Sequence, residues 1–321
     1  MSRQSSSWVL GLGSWGTGCV LALSLVSVLR AVPQDPRPKT QDSAPSRIIS
    51  LIPAVTEMLF AIGAGPQVVG VSSYDTYPPE ASTRPKVGAL VDPDFERILT
   101  LKPDLVVVYG TQADLITRLG RVNIPIFNYQ HAGLADITTT IRTLGARVGR
   151  ANEANSLAAT IERDLEATRR RVAGRPRPKT VLLFGREPGS LRSLYASGGY
   201  GFMHDMLENA GGADIFADLK KQSVQTSAEM LLSRSPDVII EVHPAGEWTP
   251  ARIAAERQVW KGLPSLPAVK TDRVYILADD RLNTPGPRVA AAVRLLADIL
   301  HPIARSRDAL PLLDRQIAHR R

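Results

Sequence analysis

The chain has 321 residues, of which 44% are apolar and 22% charged, with a formal net charge of +8. That length suffices for two ordinary domains and that composition for real hydrophobic cores, which excludes a disordered chain. A single cysteine, Cys19, excludes an internal disulfide framework and a Cys-rich zinc site. The positive charge lacks the aromatic interleaving of a nucleic-acid platform, so no nucleic-acid partner is expected.

Trp8 to Leu29 carries no charged residue, follows Arg3 and ends at Arg30. Roughly 20 apolar residues span a bilayer, so residues 1–31 read as a long signal peptide or an uncleaved anchor that could touch the membrane. Leu29-Arg30-Ala31 is a poor small-x-small cleavage site. Lipid attachment at Cys19 is disfavoured, because apolar sequence continues beyond it and Gly16 stands where a lipobox has leucine. Gly11-Leu-Gly13-Ser-Trp-Gly16 fits G-x-G-x-x-G but has no βαβ unit around it, so it carries no dinucleotide reading. Residues 32–46, rich in Pro, Gln, Asp, Lys and Ser, read as a flexible linker. Folding is expected to start near Arg47, outside the cytoplasm.

From Arg47 short apolar runs alternate with helical stretches. Strands are expected at 48–51, 68–71, 105–109 and 124–127, and helices at 54–62, 112–119 and 134–148. This alternation marks residues 47–148 as an α/β lobe with a mostly parallel sheet. Residues 149–174 contain one helix from Ala151 to Ala173 with no Gly or Pro, stopped by Gly174 and Pro176. Such a helix is over about 30 Å long, enough to join two lobes. Alternation resumes over 175–303, with strands at 180–184, 238–242 and 274–277, helices at 202–209 and 251–259, and a final helix from Pro287 to Leu300. Residues 304–321, with five arginines against two aspartates, read as a solvated basic tail. The expected fold is α/β, two Rossmann-like lobes joined by a single long helix.

One local pattern occurs twice. E-R-I-L-T-L-K-P-D-L-V-V-V starts at Glu96, and E-M-L-L-S-R-S-P-D-V-I-I-E starts at Glu229. Each reads as a short helix, a proline that stops it and a buried strand. Asp92-Pro93-Asp94 and Thr226-Ser227 offer natural caps just upstream, and an acid in the first helical turn suits the helix dipole. Alone, each glutamate is most simply a helix-stabilising charge. Both stand at helix starts on different lobes, away from strand ends, which disfavours an acid/base pair.

Ligands in open α/β sheets bind beyond the carboxyl ends of the strands. Those positions hold Tyr74, Tyr109, Asn128-Tyr129, Arg186, His243, and Asp279-Asp280-Arg281, a polar and aromatic set suited to a sizeable polar ligand. No phosphate loop, zincin motif or nucleophile elbow appears, and five scattered histidines show no metal spacing. No catalytic residue, metal site or cofactor is expected. An extracytoplasmic α/β enzyme using Glu96 or Glu229 stays as a remoter reading.

Four segments carry a family resemblance: R-I-I-S-L-I-P-A-V-T-E-M-L-F-A-I-G from Arg47, V-G-V-S-S-Y-D-T-Y-P-P-E-A from Val69, the two glutamate units, and S-G-G-Y-G-F-M-H-D-M-L-E-N-A-G-G-A-D-I-F from Ser197. Through them the chain resembles the periplasmic binding proteins of ABC importers for vitamin B12 and ferric siderophores, the class with a helical backbone between its lobes. The resemblance covers about Arg47 to Pro302. It implies a monomeric receptor that holds its ligand between two lobes and closes only slightly. It further implies that Glu96 and Glu229 dock onto arginines of an ABC permease homodimer, which works with its ATPase subunits. Tyr74 matches a corrinoid-contacting tyrosine, and Tyr109 stands where a tryptophan is expected. Leu90 and Ser223 replace or lie near two further tryptophans. Tyr74, Tyr109, Arg186, His243, Asp280 and Arg281 are therefore the candidate ligand contacts, with a corrinoid ahead of a ferric siderophore or haem. Arg186, Arg281 and Arg288 would suit an anionic iron chelate.

Overall fold

The computed structural model describes residues 44–302 apart from residue 132. The expected leader, Cys19, most of the linker and the basic tail lie outside the described residues.

The first half runs β1 (Ile48–Ser50), α1 (Pro53–Ala61), β2 (Val68–Val71), α2 (Pro79–Ser82), α3 (Phe95–Thr100), β3 (Leu105–Tyr109), α4 (Ala113–Arg121), β4 (Ile126–Tyr129) and α5 (Leu134–Arg147). Its four strands form an all-parallel sheet in the order β2-β1-β3-β4. β1 and the first four residues of β3 are buried on both faces, which is why they read as unbroken apolar runs.

α6 (Ala151–Val172) follows, 22 residues and therefore about 33 Å long. Its buried side, Ala154, Ala158, Ile161, Leu165, Thr168 and Val172, steps by alternating fours and threes along one face. Small residues there allow close packing on α5: a Cβ on Gly145 would lie 2.2 Å from that of Ala154. α6 also packs on the last helix, so it bridges both halves.

The second half runs β5 (Lys179–Gly185), β6 (Leu194–Gly198), α7 (Phe202–Asn209), β7 (Ala213–Asp214), β8 (Lys221–Thr226), α8 (Ala228–Arg234), β9 (Val238–His243), α9 (Pro250–Val259), α10 (Pro267–Lys270), β10 (Val274–Ala278) and α11 (Val289–Leu300). Its sheet is ordered β10-β9-β5-β6-β8, with β7 beside the start of β5. β10, β9 and β5 are parallel, but β6 runs antiparallel to both its neighbours, so this sheet is mixed. The expected set of strands omits β6, the two-residue β7 and β8. β8 is a polar, largely exposed edge strand (K-Q-S-V-Q-T) with no apolar run to betray it. The last helix starts at Val289 behind Arg288, two residues later than the Pro287 start expected.

The repeated unit is more alike in three dimensions than in sequence. Asp94 accepts a bond from Arg97 N (2.9 Å) and Ser227 from Met230 N (3.3 Å), so both helices are capped as expected. Each helix ends at a residue of positive φ, Lys102 or Ser235, directly before the proline. The aspartate after that proline then ties two strands together. Asp104 accepts from the amides of Ser46 and Arg47 at 2.9 and 2.8 Å, and Asp237 accepts from that of Lys179 at 2.9 Å. The Pro-Asp step thus fixes β3 beside β1 and β9 beside β5.

Candidate ligand-binding cleft

The carboxyl ends of the strands carry three side-chain groups, and each has a local cause.

The first is aromatic. β3 ends at Tyr109 and β4 at Tyr129, paired in register, and His131 follows two residues on. Tyr109 meets Tyr129 edge-on at 5.9 Å and His131 at 6.1 Å, while His131 stacks on Tyr129 at 5.7 Å. Burial pushes the Tyr129 hydroxyl up and the His131 imidazole down, so both rings are neutral near pH 7. The loop then reaches the second lobe, where Leu134 N donates to Asp205 at 2.9 Å.

The second group clasps the two lobes together. Glu57, on α1 of the first lobe, accepts two bonds from Arg288 of the second, at 2.8 and 2.5 Å. The Arg288 guanidinium also lies 3.9 Å over the ring of Tyr77. Burial raises the Glu57 carboxyl against the pull of Arg288, and Asp280 adds to the rise. Bidentate geometry and three elements in contact identify Arg288 as an inter-lobe tie.

The third group is a buried ionic network in the second lobe. Glu241, in the middle of β9, is fully buried and accepts from Arg186 Nε (2.9 Å) and Trp260 Nε1 (3.1 Å). His243 Nε2 lies 2.7 Å from its other oxygen. Burial alone would raise the Glu241 carboxyl, but the bonds from His243, Arg186 and Trp260 outweigh it and hold it low. An ionised carboxylate can only accept, so Nε2 of His243 is the donor and carries the proton. The imidazole also packs on Trp248 at 4.2 Å, itself covered by Arg252 at 4.1 Å.

The candidate contacts fall unequally among these groups. Tyr74 is 71% exposed at the end of β2, an open ring face. Tyr109 and His243 stand at the carboxyl edge on opposite lobes. Asp280 follows β10 and accepts from Ala245 N at 2.7 Å. Arg281 is forked onto Asp279 at 2.5–3.0 Å, so its charge is largely answered within its own turn. Arg186 needs correction as a ligand contact: its side chain is 1% exposed and bonds Glu241 and Glu256, the latter at 2.6 Å. It is an internal strut with no face for a ligand. Leu90 and Val91, 38% and 89% exposed, add an apolar loop held to the end of β3, where Gln112 Nε2 donates to Leu90 O at 2.8 Å.

Glu57, Asp75, His131 and Glu241 were not among the expected site residues, and Tyr129 was noted only as a strand-end position. For two of them a signal was present, since Glu57 and Glu241 are lone acids inside apolar runs and must find a cation or a proton.

Glu96 and Glu229 lie closer to the cleft than their helix-start positions suggested. α3 follows a loop held to the end of β2 (Ser73 N to Gly88 O, 2.7 Å) and runs back to the start of β1. α8 follows Thr226, paired with Leu194 beside the end of β5, and runs back to Lys179. Both exposed glutamates therefore mark the carboxyl-end rim of their lobes, one on each. Ser227 bonds the Glu229 carboxyl and holds it below the usual range. In a groove at the opposite edge, lined by Arg175, Arg177, Arg273 and His301, Arg177 donates to the Gly212 carbonyl and Arg273 to that of Leu300 at the end of α11.

Two α/β lobes bridged by one helix and tied together by the Glu57–Arg288 pair, with aromatic side chains at the strand ends of the first, define a bilobal binding protein. Residues 48–281 match the family described as periplasmic binding protein, and the chain belongs to that family. The vitamin B12-binding protein of Salmonella typhimurium is 32% identical over 262 residues, covering 81% of this chain and 92% of the relative. An uncharacterised ABC transporter substrate-binding lipoprotein of Bacillus subtilis is 29% identical over 265 residues, covering 80% and 81%. Among solved structures, the periplasmic vitamin B12-binding protein of Vibrio cholerae superposes with a TM-score of 0.68 at 28% identity, over 80% of this chain and 97% of that one. The apo periplasmic haem-binding protein of Roseiflexus sp. RS-1 gives 0.67 at 26%, over 80% and 98%.

Proposed function

We propose that the protein is the extracytoplasmic substrate-binding component of an ABC importer and that it holds a corrinoid between its lobes. The observation that carries this reading is the aromatic edge of the first lobe, with Tyr74 open and Tyr109 backed by Tyr129 and His131, in a chain 32% identical to a vitamin B12-binding protein. A flat macrocycle finds large apolar contact on such rings. His243, Asp280 and Arg281 supply polar contacts from the second lobe. The role is delivery without catalysis and without a resident cofactor, performed as a monomer, with the leader as export signal or tether.

Glu96 and Glu229 are the docking charges for the permease. They are exposed, one per lobe, on the same rim, which suits a two-fold partner presenting two cationic sites. A second reading, haem, is favoured by imidazoles at this edge on both lobes, His131 and His243, and by the likeness to a haem-binding protein.

Equilibrium dialysis of the protein from Ala44 onward against cyanocobalamin, hemin and ferrichrome tests both. The proposal expects about one cyanocobalamin per chain and little of the others. Retention of hemin alone would put the second reading in its place, and retention of none would contradict both.

A further inference from the structure

Asp75 lies in the loop after β2, between Tyr74, open at the cleft, and Tyr77, stacked under Arg288 of the other lobe. It is 2% exposed, and neither carboxyl oxygen has a hydrogen-bond partner among the described residues. The polar groups nearest it are Thr56, Ser72 and Lys86, and each makes another bond. The Thr56 hydroxyl donates to Ser50 at 2.8 Å, and Ser72 Oγ accepts from Tyr74 N at 3.1 Å. Lys86 reaches the main-chain oxygen of Asp75 at 2.8 Å instead of its carboxylate. Glu57, the other acid facing it, is committed to Arg288. An ionised carboxylate enclosed without a pairing partner is costly, and the neutral acid is the cheaper state. Burial accordingly pushes Asp75 up to about 6, opposed in part by the nearby Thr56 hydroxyl, the Ser72 backbone and, least, Lys86, while Glu57 adds to the rise.

We propose that Asp75 is a proton-linked positioning residue of the cleft, neutral when its loop is packed and the ligand is bound, so that ligand binding takes up a proton there. This rests on the receptor reading. A ligand on Tyr74 covers the loop and closes the route by which water would solvate the carboxylate. Once ionised, Asp75 draws in water or the Lys86 ammonium, and the loop that holds both Tyr74 and Tyr77 must shift. The charges coupled to this event are Lys86, Glu57 and, through Glu57, Arg288 and Asp280.

Two arms test it. In the first, cyanocobalamin is titrated calorimetrically in buffers of different ionisation enthalpy at pH 5 and pH 7. Proton uptake is expected to be near zero at pH 5 and a large fraction of one at pH 7. Affinity should fall by up to about tenfold per pH unit above pH 6 in the wild type and stay flat in Asp75→Asn. Affinity independent of pH in the wild type overturns the proposal. The second arm needs no ligand: urea midpoints of wild type and Asp75→Asn are compared from pH 4.5 to 7.5. A carboxyl whose folded pKa is raised stabilises the fold at low pH and loses that advantage as pH rises through about 6. The gap should therefore widen in favour of Asn with rising pH, and a constant gap overturns the buried proton. A widening gap without cyanocobalamin binding supports the buried proton and overturns the corrinoid reading. Should the Asn variant not fold, the Asp75 carboxyl ¹³C titration in the wild type decides: a midpoint near 6 supports the proposal and one near 4 overturns it.

Discussion

Arg186 was expected to touch the ligand, and its burial makes a sharp alternative testable. Its side chain is 1% exposed between Glu241, fully buried, and Glu256, 13% exposed. Arg186→Met keeps most of the volume but strips Glu241 of its 2.9 Å charged partner, leaving His243 at 2.7 Å and Trp260 at 3.1 Å. Breaking a buried pair costs about 3–5 kcal/mol, and the two surviving bonds place this case near the lower end. With a urea slope of about 2–3 kcal/mol per molar, the midpoint should fall by about 1–1.5 M. The deficit depends on pH. In the wild type Glu241 is held below the ordinary glutamate range, so its contribution is present at neutral pH and lost as pH falls through the folded pKa. Without Arg186 the carboxyl rises, and the difference between the proteins narrows in acid. Adding Glu241→Gln should recover at least half of the loss. Urea unfolding followed by tryptophan fluorescence reads all three proteins. An unchanged midpoint together with a large loss of ligand affinity would refute the argument and return Arg186 to the ligand.

The other predictions concern the clasp, one loop and the rim. Arg288→Ala leaves the buried Glu57 without its cation and should cost about 2–4 kcal/mol near pH 7 in urea unfolding. The cost should shrink toward acid, where Glu57, raised by burial, takes a proton. Gly88 has φ +87 and would place a Cβ 2.3 Å from the carbonyl oxygen of Asp92. Gly88→Ala should therefore lower stability by at least about 2 kcal/mol in a thermal melt. Charge reversal at Glu96 or Glu229 should leave ligand affinity within about twofold and sharply reduce uptake in cells carrying the cognate importer. Loss of binding by a folded variant would contradict the docking role.

Local chemistry made part of the molecule legible in the sequence. Asp94 and Ser227 cap where a cap was expected, and the unbroken apolar strands and the Gly- and Pro-free α6 appear within a residue or two of their expected places. What escaped depends on partners far away in the chain. β8 is a polar edge strand, visible only through its pairing with β6. Glu57 and Arg288 are 231 residues apart, and no local pattern joins them. Arg186 looked like an open strand-end charge because nothing in its neighbourhood shows that Glu241 points inward 55 residues later. Yet V-I-I-E-V-H did hold a clue, since an acid within a buried strand requires a partner and Arg186 is one of the cations available. The glutamate rims escaped for a topological reason: a helix returning between parallel strands starts at their carboxyl edge, so a helix-start charge can be a cleft-rim charge.

The central claim, a corrinoid held between the two lobes, is tested most directly by a crystal structure of the protein grown with cyanocobalamin. The account predicts one corrin per chain lying between Tyr74 and Tyr109 on one side and His243 and Asp280 on the other, with the Glu57–Arg288 clasp intact. A corrin bound elsewhere on the molecule, or an empty cleft at saturating ligand, would contradict it.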